Sequence, residues 1–174
     1  MSTTTLFQIQ LVGGYAAWLL CFSAYVLPWL KSIDRVQAHR AIATLHGFRF
    51  FGLVFILPGV VGHLPASFAT SAAYGDFATG LLAMLALVTV SVRPLFWLFV
   101  VAFNVAGIAD LLIDYFDAIR LGLPAAAGEM GAAYAIPILY VPILMISHVT
   151  ALIWLVRPQT RAALLTAPAT AGSR

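Results

Sequence analysis

The sequence predicts an all-α integral membrane protein, built as a bundle of five transmembrane helices. Three observations support this fold class: the composition, the long apolar segments and the distribution of basic residues. Of the 174 residues, 63% are hydrophobic and 9% are charged, whereas about 25% of the residues in a soluble domain are charged. A chain with so few charges cannot cover a soluble globule with polar groups. Its expected location is a cell membrane, the inner membrane in a bacterium, which the chain crosses several times.

Five apolar segments are long enough to span a bilayer, which takes about 20 mostly apolar residues. They are interpreted as helices, because open strands would leave backbone groups without hydrogen-bond partners in lipid. The first segment is longer than the apolar region of about 7–15 residues in a cleavable signal, so it is expected to remain as a span. The predicted spans cover residues 6–30, 42–63, 73–92, 94–116 and 134–156.

The direction of the chain follows from its basic residues, which accumulate in the cytoplasmic loops of membrane proteins. They follow the first, third and fifth spans, at Lys31, Arg35, Arg40, Arg93, Arg157, Arg161 and Arg174. This pattern predicts an N-terminus outside and a cytoplasmic C-terminus, with residues 1–157 as the transmembrane domain and residues 158–174 as a disordered cytoplasmic tail. The net charge of +3 is therefore assigned to topology, and no nucleic-acid partner is expected.

Four polar residues are predicted to lie in the inner, cytoplasmic half of the bundle. A rise of 1.5 Å per residue places His46 and Arg49 about 6 and 10 Å from the inner edge, and Asn104 and His148 about 15 and 12 Å from it. His46 and Arg49 are three residues apart and share a helix face. Ionisable residues within a membrane usually face the bundle interior, although Arg49 could instead extend its long side chain to the headgroups.

A second polar group is predicted in the outer half. Small residues at four-residue spacing on the third and fourth spans favour close packing of these helices, which would bring Asp76 near Asp110. Asp114 and Asp117 are nearer the helix end and are expected to face water. A direct ion pair between Arg49 and Asp110 is not expected, because the two differ by about 14 Å in predicted depth.

These residues favour a binding or transport function. In this interpretation the protein holds a small solute, a proton or a lipid headgroup at a polar site within the membrane. Arg49, Asn104 and His148 form the inner part of the ligand site, and Asp76 and Asp110 form its outer part. The interpretation is favoured because it uses both polar groups.

Two alternatives stay open. One is a membrane anchor for electron transfer, with a b-type haem held by His46 and His148 and with Arg49 facing a propionate, since neutral imidazole binds iron. The other is an accessory subunit of a larger membrane complex. The single cysteine, Cys21, excludes a cysteine-based metal motif, and no nucleophile–base pair assigns an enzymatic activity. The expected partners are the lipid bilayer and a small ligand, with a homo-oligomer or a larger complex left open.

Overall fold

A computed structural model describes residues 1–156, and every regular element in that range is helical. In chain order the α-helices are α1 Thr3–Ser32, α2 Arg35–Gly47, α3 Ala66–Val88, α4 Arg93–Arg120 and α5 Ile136–Val156. Both α1 and α5 contain one π-helical turn. The described residues also form two 3₁₀-helices, Phe48–Ile56 directly after α2 and Ala127–Tyr134 before α5. The predicted tail over residues 158–174 lies outside the described residues.

Four of these helices, α1, α3, α4 and α5, are long and apolar enough to cross a membrane. Each of them leaves large apolar side chains exposed, among them Leu20, Val88, Leu98 and Ile153. A surface of this kind is suited to contact with lipid tails. The predicted all-helical class is confirmed, and the bundle is compatible with a membrane protein.

The second predicted span differs most from the structure, because residues 42–63 do not form one continuous helix. Helix α2 begins at Arg35, where the Asp34 carboxylate accepts hydrogen bonds from the backbone N–H groups of Val36 and Gln37, which is the usual way in which aspartate caps a helix N-terminus. The α-helix ends at Gly47, and the chain continues as the 3₁₀-helix Phe48–Ile56.

The 3₁₀-helix is held by its contact with α3. Runs of this conformation longer than three or four residues are uncommon, so nine residues need support from a neighbour. A methyl group at Gly80 would meet the backbone of Arg49 and Phe50, and one at Gly52 would overlap the Asp76 side chain. Glycine at position 52 is therefore required for this close approach, and a side chain at Gly80 would have to displace the 3₁₀-helix slightly.

The core consists of two apolar clusters with polar residues between them. Along α3, Asp76 and Thr79 separate the residues of one cluster from those of the other. The first apolar cluster includes Phe7, Phe55, Phe68, Ala72 and Ile136. The second apolar cluster includes Phe22, Ala38, Ala86, Phe96 and Ala151. We call the remaining group the polar cluster, which comprises His46, Arg49, Asp76, Asn104, Asp110, Ser147 and His148.

Candidate functional site

The guanidinium of Arg49 is the centre of the polar cluster and is fully buried. Its Nε donates to Asp76 Oδ1 at 2.6 Å, and its Nη2 donates to Asp110 Oδ2 at 2.5 Å. One arginine thus joins the 3₁₀-helix to both α3 and α4. Because it binds two carboxylates inside the bundle, Arg49 faces the interior, and the alternative in which it extends to the headgroups does not describe this structure.

The expectation that Arg49 and Asp110 would not pair is wrong, and the start of α2 explains most of the error. Helix α2 begins at residue 35 instead of 42, which moves Arg49 about 10 Å further along the axis at 1.5 Å per residue. Helix α4 begins at residue 93, one residue before the predicted start, so the position of Asp110 changes little. The shift of Arg49 removes most of the predicted separation of about 14 Å, so the two predicted polar groups form one cluster.

The remaining nitrogen of Arg49, Nη1, faces α4 and α5. It donates to the carbonyl oxygen of Gly107 at 3.3 Å and lies 3.2 Å from Nε2 of His148. A Cβ atom on Gly107 would overlap both the imidazole of His148 and this nitrogen. Glycine at this position allows the arginine to reach the two helices.

Hydrogen bonds determine which nitrogen of His148 carries the proton. Asn104 donates from Nδ2 to the carbonyl oxygen of Val100 at 2.8 Å, so its Oδ1 is the atom that faces His148 Nδ1 at 2.9 Å. An amide oxygen only accepts, and Nδ1 of His148 must therefore be the donor. This leaves Nε2 with its lone pair toward Arg49, which only donates. Asn104 and His148 thus position the guanidinium.

The same argument applies to His46. The hydroxyl of Ser147 donates to the carbonyl oxygen of Leu144 at 3.0 Å, so it accepts from His46 Nε2, also at 3.0 Å. The Nδ1 atom of His46 is buried and finds no hydrogen-bond partner among residues 1–156. The ring of His46 stacks on that of His148, with ring centroids 3.8 Å apart and planes inclined by 32°.

This arrangement does not fit a haem held by His46 and His148. Two axial imidazoles must each direct a nitrogen at the iron from opposite faces of the macrocycle. Here the two rings stack face to face, and both nitrogens of His148 are occupied by Asn104 and Arg49. Phe103 also packs against both imidazoles. Within residues 1–156, no three histidine, cysteine, aspartate or glutamate side chains are placed to hold a metal ion.

A cavity of about 230 Å³ adjoins the polar cluster on the side where its carboxylates lie, which we call the acidic side. Its walls come from α1, the 3₁₀-helix Phe48–Ile56, α3, α4, the segment before α5, and α5 itself, and they are mostly apolar. The polar side chains that line it are Gln8, Asp76, Asp114 and Tyr115. The Tyr115 hydroxyl is bonded to that of Tyr15 at 2.7 Å. The Oδ1 atom of Asp114 is buried and has no hydrogen-bond partner within the part of the chain that the structure describes.

The structure separates Asp114 from Asp117, although the sequence predicts that both face water. Asp117 pairs with the exposed Arg120 at 3.1 Å and belongs to the surface. Asp114, expected to face water, instead lines the cavity. Its four-residue spacing from Asp110 was the available signal, because residues four apart lie on one helix face. Ser147 was also missed, although it precedes His148 directly in the sequence.

The five residues predicted to bind a ligand, Arg49, Asp76, Asn104, Asp110 and His148, form one hydrogen-bonded network. Of these, only Asp76 lines the cavity. The others lie behind it and hold the cluster in place. Their role in binding a ligand stays a prediction.

Comparison with known proteins gives one match. A family described as a domain of unknown function (DUF8737) matches residues 6–156, which includes every element of the bundle apart from the first turn of α1. No curated protein and no solved structure matches the chain.

Proposed function

The chain belongs to the DUF8737 family, whose description assigns no activity, and we propose from the geometry of the site that it is a multi-pass membrane protein that binds a small, largely apolar molecule. One observation carries the proposal. A fully buried guanidinium, bonded to carboxylates on two different helices, lies behind the wall of a mostly apolar cavity.

The energetics favour a functional reason for this cluster. Removing charged groups from water costs several kcal/mol per ion, and a bundle held by apolar packing alone does not require them. Ionisable residues inside a membrane domain usually mark a site. Ligand sites are concave and mostly apolar with a few polar groups, and the cavity beside Asp76 has this character. Its volume of about 230 Å³ is below the roughly 300–1,000 Å³ of sites for drug-sized molecules, which favours a small ligand.

The proposal includes five membrane crossings, with the N-terminus outside and the C-terminus in the cytoplasm. The second crossing would be made by α2 together with the 3₁₀-helix that follows it. Thirteen α-helical and nine 3₁₀ residues extend about 37 Å at rises of 1.5 and 2.0 Å per residue, enough for a hydrocarbon core of about 30 Å. This crossing is supported by Ala38, which belongs to the second apolar cluster, and Phe55, which belongs to the first.

The proposed orientation is supported by the position of the basic residues in the fold. Lys31 and Arg35 lie where α1 meets α2, and Arg93 begins α4. Both connections lie at the end of the bundle formed by the second apolar cluster, which contains Leu30 and Phe96. Basic residues collected at one end favour a cytoplasmic location for that end.

Reporter fusions test the crossings and their direction. A fusion after residue 66 should place the reporter outside, and one after residue 158 should place it in the cytoplasm. A reporter active in the cytoplasm after residue 66 would show that the second segment does not cross, and the five-span arrangement would then be rejected.

Binding is tested with 1-hexanol as a probe on the full chain in lipid nanodiscs, by methyl NMR with empty nanodiscs as the blank. We expect saturable shifts confined to cavity-lining side chains. Ala118 lines the cavity, and Ala118→Leu should displace about two methylenes of the probe. At about 0.8 kcal/mol per methylene, affinity should fall roughly tenfold.

Ala16→Leu is the matched control, because Ala16 is exposed on the surface of α1 and the same atoms are added there without filling the cavity. This variant should bind the probe as the unaltered protein does. Equal binding of 1-hexanol by Ala118→Leu and the unaltered protein, or saturable shifts outside the cavity, would contradict the proposed function, as would a lack of binding by 1-hexanol and by its charged analogues of equal length.

A further inference from the structure

We infer that the ligand of the cavity is a small organic cation, an ammonium group on a short apolar body, and that Asp114 binds its charge. This inference rests on the proposed function and specifies the substrate class of the same site. It depends on three features of the cavity: its charge, the unpartnered carboxylate oxygen of Asp114 and its aromatic walls.

The charges around the cavity do not balance. Three carboxyl groups lie close together, those of Asp76, Asp110 and Asp114, and one guanidinium, that of Arg49, faces them. Among residues 1–156, the side chains that line the cavity include no lysine, arginine or histidine. The nearest arginine along α4, Arg120, is exposed and bonded to Asp117. Asp76 and Asp110 already share Arg49, so a cation that enters the cavity stabilises the ionised carboxylate of Asp114, whereas an anion finds no cationic group to pair with.

The carboxylate of Asp114 has a vacant acceptor. Arg49 binds one carboxylate oxygen of Asp76 and one of Asp110, whereas Oδ1 of Asp114 is buried and unpartnered. A buried acceptor without a donor costs about 1–3 kcal/mol. An ammonium group supplies N–H donors and no acceptors, so it would satisfy this oxygen and offset its charge together.

The walls of the cavity suit an organic cation better than a metal ion. Phe7, Phe55, Phe68 and Tyr115 all line it, and the faces of aromatic rings attract ammonium groups. Calcium takes six to eight oxygen ligands, and magnesium requires a near-octahedral set. Only four of the described side chains that line this apolar wall are polar, too few to complete such a set. An apolar body on the ammonium would fill the remaining space.

The test compares three probes of equal chain length on the full protein in lipid nanodiscs: hexylamine, 1-hexanol and hexanoate at pH 7, with titrations into empty nanodiscs subtracted. Hydrogen bonds to an ionised partner are about twice as strong as neutral ones, so hexylamine should bind roughly tenfold or more tightly than 1-hexanol. Hexanoate should bind most weakly.

Two substitutions of Asp114 identify the group responsible. Asp114→Asn should lower the affinity for hexylamine far more than the affinity for 1-hexanol, so that the preference for hexylamine is lost. Asp114→Glu retains the charge and should retain the preference. Asp117→Asn is the matched control on the same helix, since Asp117 belongs to the surface pair with Arg120, and it should change neither affinity.

The outcomes separate this inference from the function on which it rests. If 1-hexanol and hexylamine bind the unaltered protein equally well, the ligand is not selected by charge, and the inference is overturned while the binding function stands. If none of the three probes binds, both the proposed function and this inference are rejected. A hexylamine preference that survives in a folded Asp114→Asn protein would assign the charge recognition to another residue and overturn the role given to Asp114.

Discussion

The polar cluster has two sides that differ in how their groups are satisfied. On the histidine side, the tautomers of His46 and His148 are fixed by Ser147 and Asn104, and the two rings pack against Phe103. On the acidic side, carboxylates outnumber the guanidinium, and a cavity adjoins them. Both sides are buried in the same bundle.

The difference shows that burial of a polar residue does not by itself identify a binding site. A histidine whose donors and acceptors are matched, with packed neighbours, positions other groups. A carboxyl group that has no cationic partner and lines a cavity, such as Asp114, can receive a ligand. The one exception on the histidine side, the unpartnered Nδ1 of His46, lies against a stacked ring and is not among the atoms that face the cavity.

The largest effect is expected from removing the cation that joins the two sides. Arg49→Met should destabilise the protein by about 3–5 kcal/mol, because loss of one partner leaves buried charges uncompensated. Thermal unfolding in one detergent would measure the change. Arg49→Lys keeps the charge but lacks the fork of donors that binds both carboxylates. Its stability should therefore lie between that of Arg49→Met and that of the unaltered protein. A Met variant as stable as the unaltered protein would show that the cluster does not hold the helices together.

A smaller effect is expected at the contact between α3 and α4 on the acidic side. A Cβ atom at Gly75 would overlap the Asp110 carboxylate, so Gly75→Ala should displace it from Arg49. Overpacking of this kind costs about 1–3 kcal/mol. Nothing lies within 4 Å of a Cβ atom added at Gly13, and Gly13→Ala should be neutral or stabilising by roughly 0.5–1 kcal/mol. Equal unfolding temperatures for the two variants would contradict the close approach at Gly75.

The smallest effect on stability is expected on the histidine side. Asn104→Leu removes the acceptor for Nδ1–H of His148, and hydrogen bonds between helices in membranes contribute about 0.6 kcal/mol on average and about 1.7 at most. The more specific measurement is the ¹⁵N chemical shifts of the imidazole. The unaltered protein should show the proton of His148 on Nδ1, and Asn104→Leu should increase the population with the proton on Nε2. A proton already on Nε2 in the unaltered protein would reverse the assignment of donor and acceptor.

The sequence by itself determined the class of the protein and the identity of most polar residues in its interior. Hydropathy summed over about 20 residues is a local property, so the apolar helices could be recognised without knowledge of their neighbours. The same holds for the placement of His46, Arg49, Asn104 and His148 within the bundle, because a polar residue in an apolar helix needs a partner and finds it inside.

Only the tertiary structure decided which of these residues meet. A hydrogen bond tolerates a few tenths of an ångström, whereas an error of one residue in a helix boundary moves a side chain about 1.5 Å along the axis and about 100° around it. The Asp34 cap and the change to a 3₁₀-helix after Gly47 set the position of Arg49, and neither is visible in the hydropathy pattern. The cavity at Asp114 is a space left between several helices, and such a space exists only once their packing is fixed.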